Sequence, residues 1–303
     1  MNTMQAFVRT DAKSGQVELQ EMTIPAIDQD EVLIKVEAFG VGIHDRYFIP
    51  SQVSFPYTIG SEAAGVVVKV GEQVQHLKEG QRVIVSSSMQ IKGGCWAEYV
   101  VASPDKIVPM LDEIDFLTGA ALPVAGKTAL ESMNALNLSK GDTLFIAGAS
   151  GAIGTLIIQL ATNKGVHVIG SASSKNHEYM KSLGAEFTVD YTNPNWKTEV
   201  RKQDVDAALA IQPGTGEDCL AVVKDGGKVI TVSGDKLEPE RNIDARQFQH
   251  QLQIQSTMNE LMESIVANDI KVIIEKTYPF EDALQALEKT ETRHARGKLV
   301  VEL

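Results

Sequence analysis

Short runs of Val and Ile, each ending at Gly or Ser, fill the first third of the chain: EVLIKVEAFGVG (31–42), AAGVVVKVG (63–71), QRVIVSS (81–87) and AEYVVAS (97–103). Such β-branched runs bounded by turn formers predict strands. In GVVVKVGEQVQHLKEGQRV (65–83) two runs are joined by a polar, Gly-containing link. This part therefore predicts a small β-rich barrel. From about residue 142 the pattern changes. Apolar runs TLFIAG (143–148), HVIGSAS (167–173), FTVDY (187–191), DAALAI (206–211) and KVITVSG (228–234) are separated by helical patterns. The helical patterns are AIGTLIIQLATNKG (152–165), KNHEYMKSLG (175–184) and EDCLAVVKDGG (217–227), with STMNELMESIVAND (256–269) after the last strand. Alternation of this kind predicts an α/β domain, a doubly wound parallel sheet with helices on both faces. The tail, KVIIEKTYPF, EDALQALEKTE and GKLVVEL, resumes the β-rich style of the first part and is expected to return to it.

The stretch 143–161 is long and apolar enough to suggest a membrane span. Three glycines and a serine interrupt it, however, and the periodicity changes there. A strand, a turn and a buried helix describe it better. In doubly wound folds the turn after the first strand lets a pyrophosphate approach the backbone, in front of a helix N-terminus with unpaired N–H groups. Gly148, Gly151 and Gly154 are spaced for such a turn, with Ala149, Ser150, Ala152 and Ile153 between them. Ala149 stands where the strict G-x-G-x-x-G pattern has its first Gly, so the triplet gains its meaning from the strand before and the helix after.

An NAD site usually places an Asp or Glu about 20 residues further on, at the end of the second strand. The chain offers Ser171, Ser173, Ser174 and Lys175 there, and no carboxylate before Glu178. Hydroxyls and a lysine suit a 2′-phosphate that a carboxylate would repel, so NADPH is the expected cofactor. A lysine merely solvated at a helix start is the plainer reading of Lys175.

Composition narrows the partners. A length of 303 residues allows two domains, and a net charge of −12 disfavours nucleic acid or an anionic membrane as partner. The two cysteines, Cys95 and Cys219, supply neither a disulfide framework nor a metal cage. The N-terminus lacks an apolar signal core, so a cytoplasmic location is expected.

The motifs AFGVGIHDRY (38–47), PYTIGSEAAGVVVKVG (56–71), GGCWAEYV (93–100), ALPVAGKTAL (121–130), GASGAIG (148–154) and HARGKLVVEL (294–303) occur in this order along the whole chain. In them the chain resembles the medium-chain dehydrogenase/reductases, and within these the zinc-free quinone oxidoreductase group. The resemblance implies a GroES-like β-barrel domain over residues 1–115, a Rossmann NADP-binding domain over 116–268, and a tail, 269–303, returning to the first. It also implies a homodimer. The zinc alcohol dehydrogenases of the superfamily carry a Cys, a His followed by Glu, and a second Cys at their catalytic metal. The matching positions here are Gly42, Ser61 before Glu62, and Val124, none an ordinary Zn²⁺ ligand. No metal is expected, and Glu62 and Asp45 are expected to be structural.

Without a metal the acceptor must already be electrophilic, as quinones and α,β-unsaturated carbonyls are. The protein then aligns the reacting carbon and offers a donor to the developing oxyanion. The resemblance makes Tyr47 the first candidate for that donor and His44 a possible proton relay. A packed aromatic and a solvated loop histidine are the plainer readings. The group commonly has Asn where this chain has Gly42, which removes a polar contact. By the same matching Thr128, Val232 and Ser233 lie along the nicotinamide, Tyr191 flanks the 2′-phosphate and adenine, and Lys298 reaches the phosphates, with Arg293 or Arg296 assisting. The expected activity is NADPH-dependent hydride transfer to a small-molecule quinone or enone. An alkenal/enone double-bond reductase with little quinone activity, and a non-enzymatic NADPH-binding redox sensor, are the alternatives.

Overall fold

The Val- and Ile-rich runs of the first third are strands in the structure, a computed structural model that describes residues 2–250, 253–267 and 269–303. In chain order the strands are β1 (Thr3–Arg9), β2 (Val17–Thr23), β3 (Val32–Val41), β4 (Tyr57–Thr58), β5 (Glu62–Val70), β6 (Arg82–Ser86), β7 (Tyr99–Ala102) and β8 (Ile107–Pro109); the four runs fall in β3, β5, β6 and β7, and the other four strands lie outside them. Two short helices follow, α1 (Phe116–Ala120) and α2 (Ala125–Leu136). Asp115 caps α1 by accepting the Thr118 N–H at 2.7 Å.

The alternating segment then supplies β9 (Thr143–Ala147), α3 (Ala152–Asn163), β10 (His167–Ser171), α4 (His177–Ser182), β11 (Phe187–Val189), α5 (Trp196–Arg201), β12 (Val205–Ala210), α6 (Gly216–Val222), β13 (Val223–Thr231) and β14 (Asp244–Gln247). The chain closes with α7 (Gln255–Val266), β15 (Ile274–Pro279), α8 (Ala283–Glu291) and β16 (Lys298–Glu302). The expected helix 217–227 is shorter than its pattern: α6 stops at Val222 and β13 begins at once. Val222 and Val223, both β-branched, favour extended chain there, and Gly226, at φ 74° in the left-handed region, cannot continue a helix. Asn268, near the end of the last expected helix and at the expected domain boundary, lies outside the described residues.

Two compact units result. The first comprises Met1–Lys127, Leu252–Val266 and Ile274–Leu303; the second comprises Thr128–Gln251 and Ala267–Ile273. The grouping differs from the expected boundaries in that residues 116–127 and α7 belong with the first unit and residues 269–273 with the second. The reason is packing: α1 lies on β3 and β5, and α7 lies on β8.

In the first unit a three-stranded sheet runs β2-β1-β4 and a larger one runs β15-β16-β3-β5-β6-β8, with β7 also on β3. The tail does return: β16 pairs antiparallel with β3, Leu299 opposite Val41 and Glu302 opposite Ala38. The core of this unit is mainly aliphatic around an aromatic group, with Phe39 stacked on Trp96 at 4.9 Å and Phe7 edge-on to the same ring at 6.0 Å.

The second unit holds six parallel strands in the order β11-β10-β9-β12-β13-β14. This is the Rossmann order, and its switch point lies between β9 and β12, where such sheets bind ligands at their carboxyl ends. Residues 143–161 form β9, a turn and most of α3. No helix among the described residues is long and apolar enough to cross a membrane.

Candidate active site

In the second unit the small residues 148–154 close the carboxyl end of β9, and each glycine has its own reason. Gly148 sits at φ 92°, where a Cβ would also lie 2.8 Å from Gln212 Cγ. A Cβ on Gly154 would come within 2.6 Å of the Ala149 backbone, so α3 packs directly on the turn. Gly151 is different. Its Cβ would meet nothing nearer than the Gly148 oxygen at 3.7 Å, so the fold leaves that side open. Gly151 is also the N-cap of α3 and no side chain caps that end. The geometry fits a pyrophosphate: an uncapped helix start with its positive dipole end, beside open space that a side chain would fill.

The end of β10 lies against this turn. Gly148 and Ala149 donate their N–H groups to the Ser171 carbonyl at 3.3 and 3.2 Å. Buried Asn176 donates from Nδ2 to Ser150 Oγ at 3.2 Å and to Ser173 Oγ at 3.3 Å. The structure thus brings Ser150, Gly151, Ser173 and Ser174 together, and Lys175 is exposed on the same short turn. Two residues here were not expected from sequence, Asn176 and Asp190. Asp190 Oδ2 accepts the Ser174 N–H at 2.9 Å, and its Oδ1 accepts from the Thr192 N–H and hydroxyl. Those hydrogen bonds, Thr192's first and Ser174's after them, hold its carboxyl down at about 2. The signal that places it is the parallel register of β10 and β11, with Ser171 opposite Val189. Tyr191, next in sequence, is exposed. Val232 and Ser233 leave β13 beside β12, Val232 donating its N–H to the Ala210 carbonyl at 2.8 Å. Thr128 is buried on α2.

In the first unit the loop after β3 carries the two expected catalytic residues. Tyr47 and Phe48 donate their N–H groups to the His44 carbonyl at 2.8 and 2.9 Å. Arg9, itself buried, donates from Nη1 to the Arg46 carbonyl at 2.6 Å and so clamps the loop from β1. The Tyr47 side chain is 61% exposed, and its hydroxyl makes no hydrogen bond among the described residues. His44 stacks on Phe48 at 4.9 Å. Partial burial, and then the charge of Arg293, pull its pKa down, so its imidazole is neutral at pH 7 and has no cationic proton to deliver.

Beneath the loop, Asp45 is buried. Its Oδ2 accepts the Gly42 N–H at 2.6 Å and its Oδ1 accepts the Ser61 hydroxyl at 2.7 Å. Burial pushes its carboxyl up to about 6 despite these hydrogen bonds and the charge of Lys298. The folded chain therefore holds this proton more tightly than the unfolded one. Its contribution to stability is full below the ordinary carboxylate value and is lost as pH rises through about 6. Gly42 is matched to this carboxylate: a Cβ there would lie 3.2 Å from Asp45 Oδ2.

Lys298 departs from expectation. It is 6% exposed, and its ammonium donates to Glu62 Oε1 inside the first unit rather than standing open to a phosphate. Glu62 Oε2 accepts the Val124 N–H at 2.8 Å. Gly40 makes room for it, since a Cβ there would lie 2.7 Å from the Glu62 carboxyl. The positions that match zinc ligands in the alcohol dehydrogenases thus hold a glycine, a serine bonded to Asp45 and a valine whose N–H is bonded to Glu62. That donor set does not fit a zinc ion. Among the described residues no group of three or more His, Cys, Asp and Glu is placed to hold a metal. Arg296 donates its N–H to Glu275 at 2.8 Å.

Gly151→Val should fold normally and lose affinity for a nicotinamide dinucleotide by at least about tenfold, whereas Gly154→Val should lose stability because it meets backbone. Calorimetric titration and thermal melts separate the two; unchanged affinity in folded Gly151→Val would place the dinucleotide elsewhere. Lys298→Ala should cost about 3–5 kcal/mol of stability by stranding the Glu62 charge, with Glu62→Gln recovering part of it in the double variant. Chemical denaturation reads this, and a loss confined to cofactor affinity would contradict the ion-pair assignment.

A family model described as alcohol dehydrogenase GroES-like domain matches residues 28–112, and one described as zinc-binding dehydrogenase matches residues 183–301. The chain is 32% identical to the 2-methylene-furan-3-one reductase of Solanum lycopersicum, over 98% of this chain and 79% of that one. Identity and coverage are the same with the chloroplastic NADPH-dependent alkenal/one oxidoreductase of Arabidopsis thaliana. Among solved structures, the quinone oxidoreductase from Coxiella burnetii superposes with a TM-score of 0.90 at 28% identity, covering 100% of both chains. The open glycine turn, the missing zinc donors and these likenesses agree: the chain is an oxidoreductase of the zinc-independent quinone oxidoreductase group of the medium-chain dehydrogenase/reductases.

Proposed function

We propose that this enzyme reduces quinones and α,β-unsaturated carbonyls with NADPH. The observation that carries the reading is the open side of Gly151 before the uncapped start of α3. The bound nicotinamide supplies the hydride. The turn 148–154 holds the pyrophosphate, and Ser173, Ser174 and Lys175 take the 2′-phosphate. Asp190 does not oppose this choice, because its carboxylate is turned onto the Ser174 and Thr192 N–H groups. With no metal ligands at 42, 61 and 124, the acceptor brings its own electrophilicity, and a phenol suffices to meet the developing oxyanion. Tyr47 supplies that phenol, its hydroxyl engaged by no other described residue. The names of the relatives, an alkenal/one oxidoreductase, a 2-methylene-furan-3-one reductase and a quinone oxidoreductase, support the acceptor class. A sensor working through its thiols finds no support. Cys95 and Cys219 are fully buried, and burial pushes both thiols far above their usual range. A homodimer is part of the same proposal, read by sedimentation.

NADPH oxidation against a panel of quinones, enones and alkenals, with NADH in parallel, tests the reading. NADPH should bind about tenfold tighter than NADH, about 1.4 kcal/mol, and Lys175→Ala should shrink that gap. Equal affinity in the wild type would refute the 2′-phosphate assignment, and no turnover with any acceptor would refute the activity. Tyr47→Phe should lower kcat and kcat/KM together by about a hundredfold on enones, with KM little changed and a smaller loss on quinones. Wild-type rates on both acceptors would remove Tyr47 from the chemistry.

A further inference from the structure

We propose that Asp45 is a positioning residue, which presents His44 and Tyr47 to substrate by tying the start of their loop to the segment just before β5. That His44 and Tyr47 act on substrate rests on the reductase reading above. Three observations carry the assignment. The Asp45 carboxylate accepts from Gly42 at the start of the loop and from Ser61, just before β5, using one oxygen for each. Position 42 has no side chain, and one there would press on that carboxylate. Beyond the loop's own turn bonds, its other fastenings among the described residues run through two arginines: the Arg9 clamp on the Arg46 carbonyl, an Arg46 hydrogen bond to the Gly15 carbonyl at 3.4 Å and an Arg46 ion pair with Glu291 at 2.7 Å.

The charged and titratable groups facing Asp45 are few. Lys298 on β16 favours its ionised form, Glu62 on β5 opposes it, and buried Cys95 stays a neutral thiol. Burial makes the ionised carboxylate costly, as its raised pKa records. An amide of the same shape would avoid that cost but has a single accepting oxygen, so it could take only one of the two hydrogen bonds. A costly charge spent on holding one loop marks that loop as the place where geometry matters.

Hydrogen exchange of the peptide covering residues 42–49, corrected for intrinsic rates, tests this without any substrate. In Asp45→Asn the exchange should rise by about tenfold or more at pH 8, since one hydrogen bond to a charged acceptor is lost. The melting temperature at that pH should not fall correspondingly, because the buried charge has gone. In the wild type, exchange of the same peptide should change with pH along a titration centred at about 6. Ser61→Ala should move that midpoint upward, because a hydrogen bond to the ionised form is lost. With an acceptor the wild type reduces, Asp45→Asn should lower kcat more than it raises KM. Wild-type exchange in Asp45→Asn, or a midpoint unmoved by Ser61→Ala, would overturn the proposal. Should Asp45→Asn not fold, the Ser61→Ala midpoint decides alone. A wild type that reduces nothing on the panel would sink the reductase reading and leave the exchange result standing.

Discussion

A carboxylate with no solvent around it must find a cation and N–H donors or stay protonated, and Glu62 shows how much structure that demand organises. It sits at the first residue of β5, fully buried, and takes the Lys298 ammonium from β16 and the Val124 N–H. Gly40 on β3 is bare to admit it. One side chain thus joins the middle of the first unit, the last strand of the chain and the segment leading into α2. The return of the tail thus joins an ion pair to a strand pairing: β16 brings the Lys298 cation to Glu62.

The same neighbourhood is ordered by hydrogen bonds within the protein at the positions that match zinc ligands. Ser61 takes the place of a ligand and donates to Asp45; Gly42 offers a backbone N–H to the same carboxylate. The charges that would surround a zinc ion are consumed by internal partners. The loop proposed to meet the acceptor carries an exposed phenol, Tyr47, and His44, whose pKa partial burial pulls down.

Sequence patterns revealed the frame because its causes are local. β-branched runs make strands wherever they occur, and a turn of Gly and Ala residues before an apolar helix has few other uses. β14 was illegible because Asp244–Gln247 is a polar edge strand with no buried face to mark it. The helix 217–227 was overread because a strand follows α6 with no intervening loop. Contacts brought by pairing were also hidden. Asp190 reaches Ser174 through the β10–β11 register, and Asn176 joins two serines that lie apart in sequence. Lys298 was misassigned because a basic residue in a basic stretch looks like a phosphate ligand until its buried partner is seen. Gly42 looked like a missing contact, although its bareness serves Asp45.

Hydride addition to an activated double bond, unaided by a metal, is tested most directly by the fate of a label. NADPH carrying deuterium at C4, offered as each epimer with an α,β-unsaturated ketone, should leave deuterium on the carbon β to the carbonyl of a saturated ketone for one of the two epimers. Deuterium on the carbinol carbon of an allylic alcohol would mean direct carbonyl reduction and would contradict the reading.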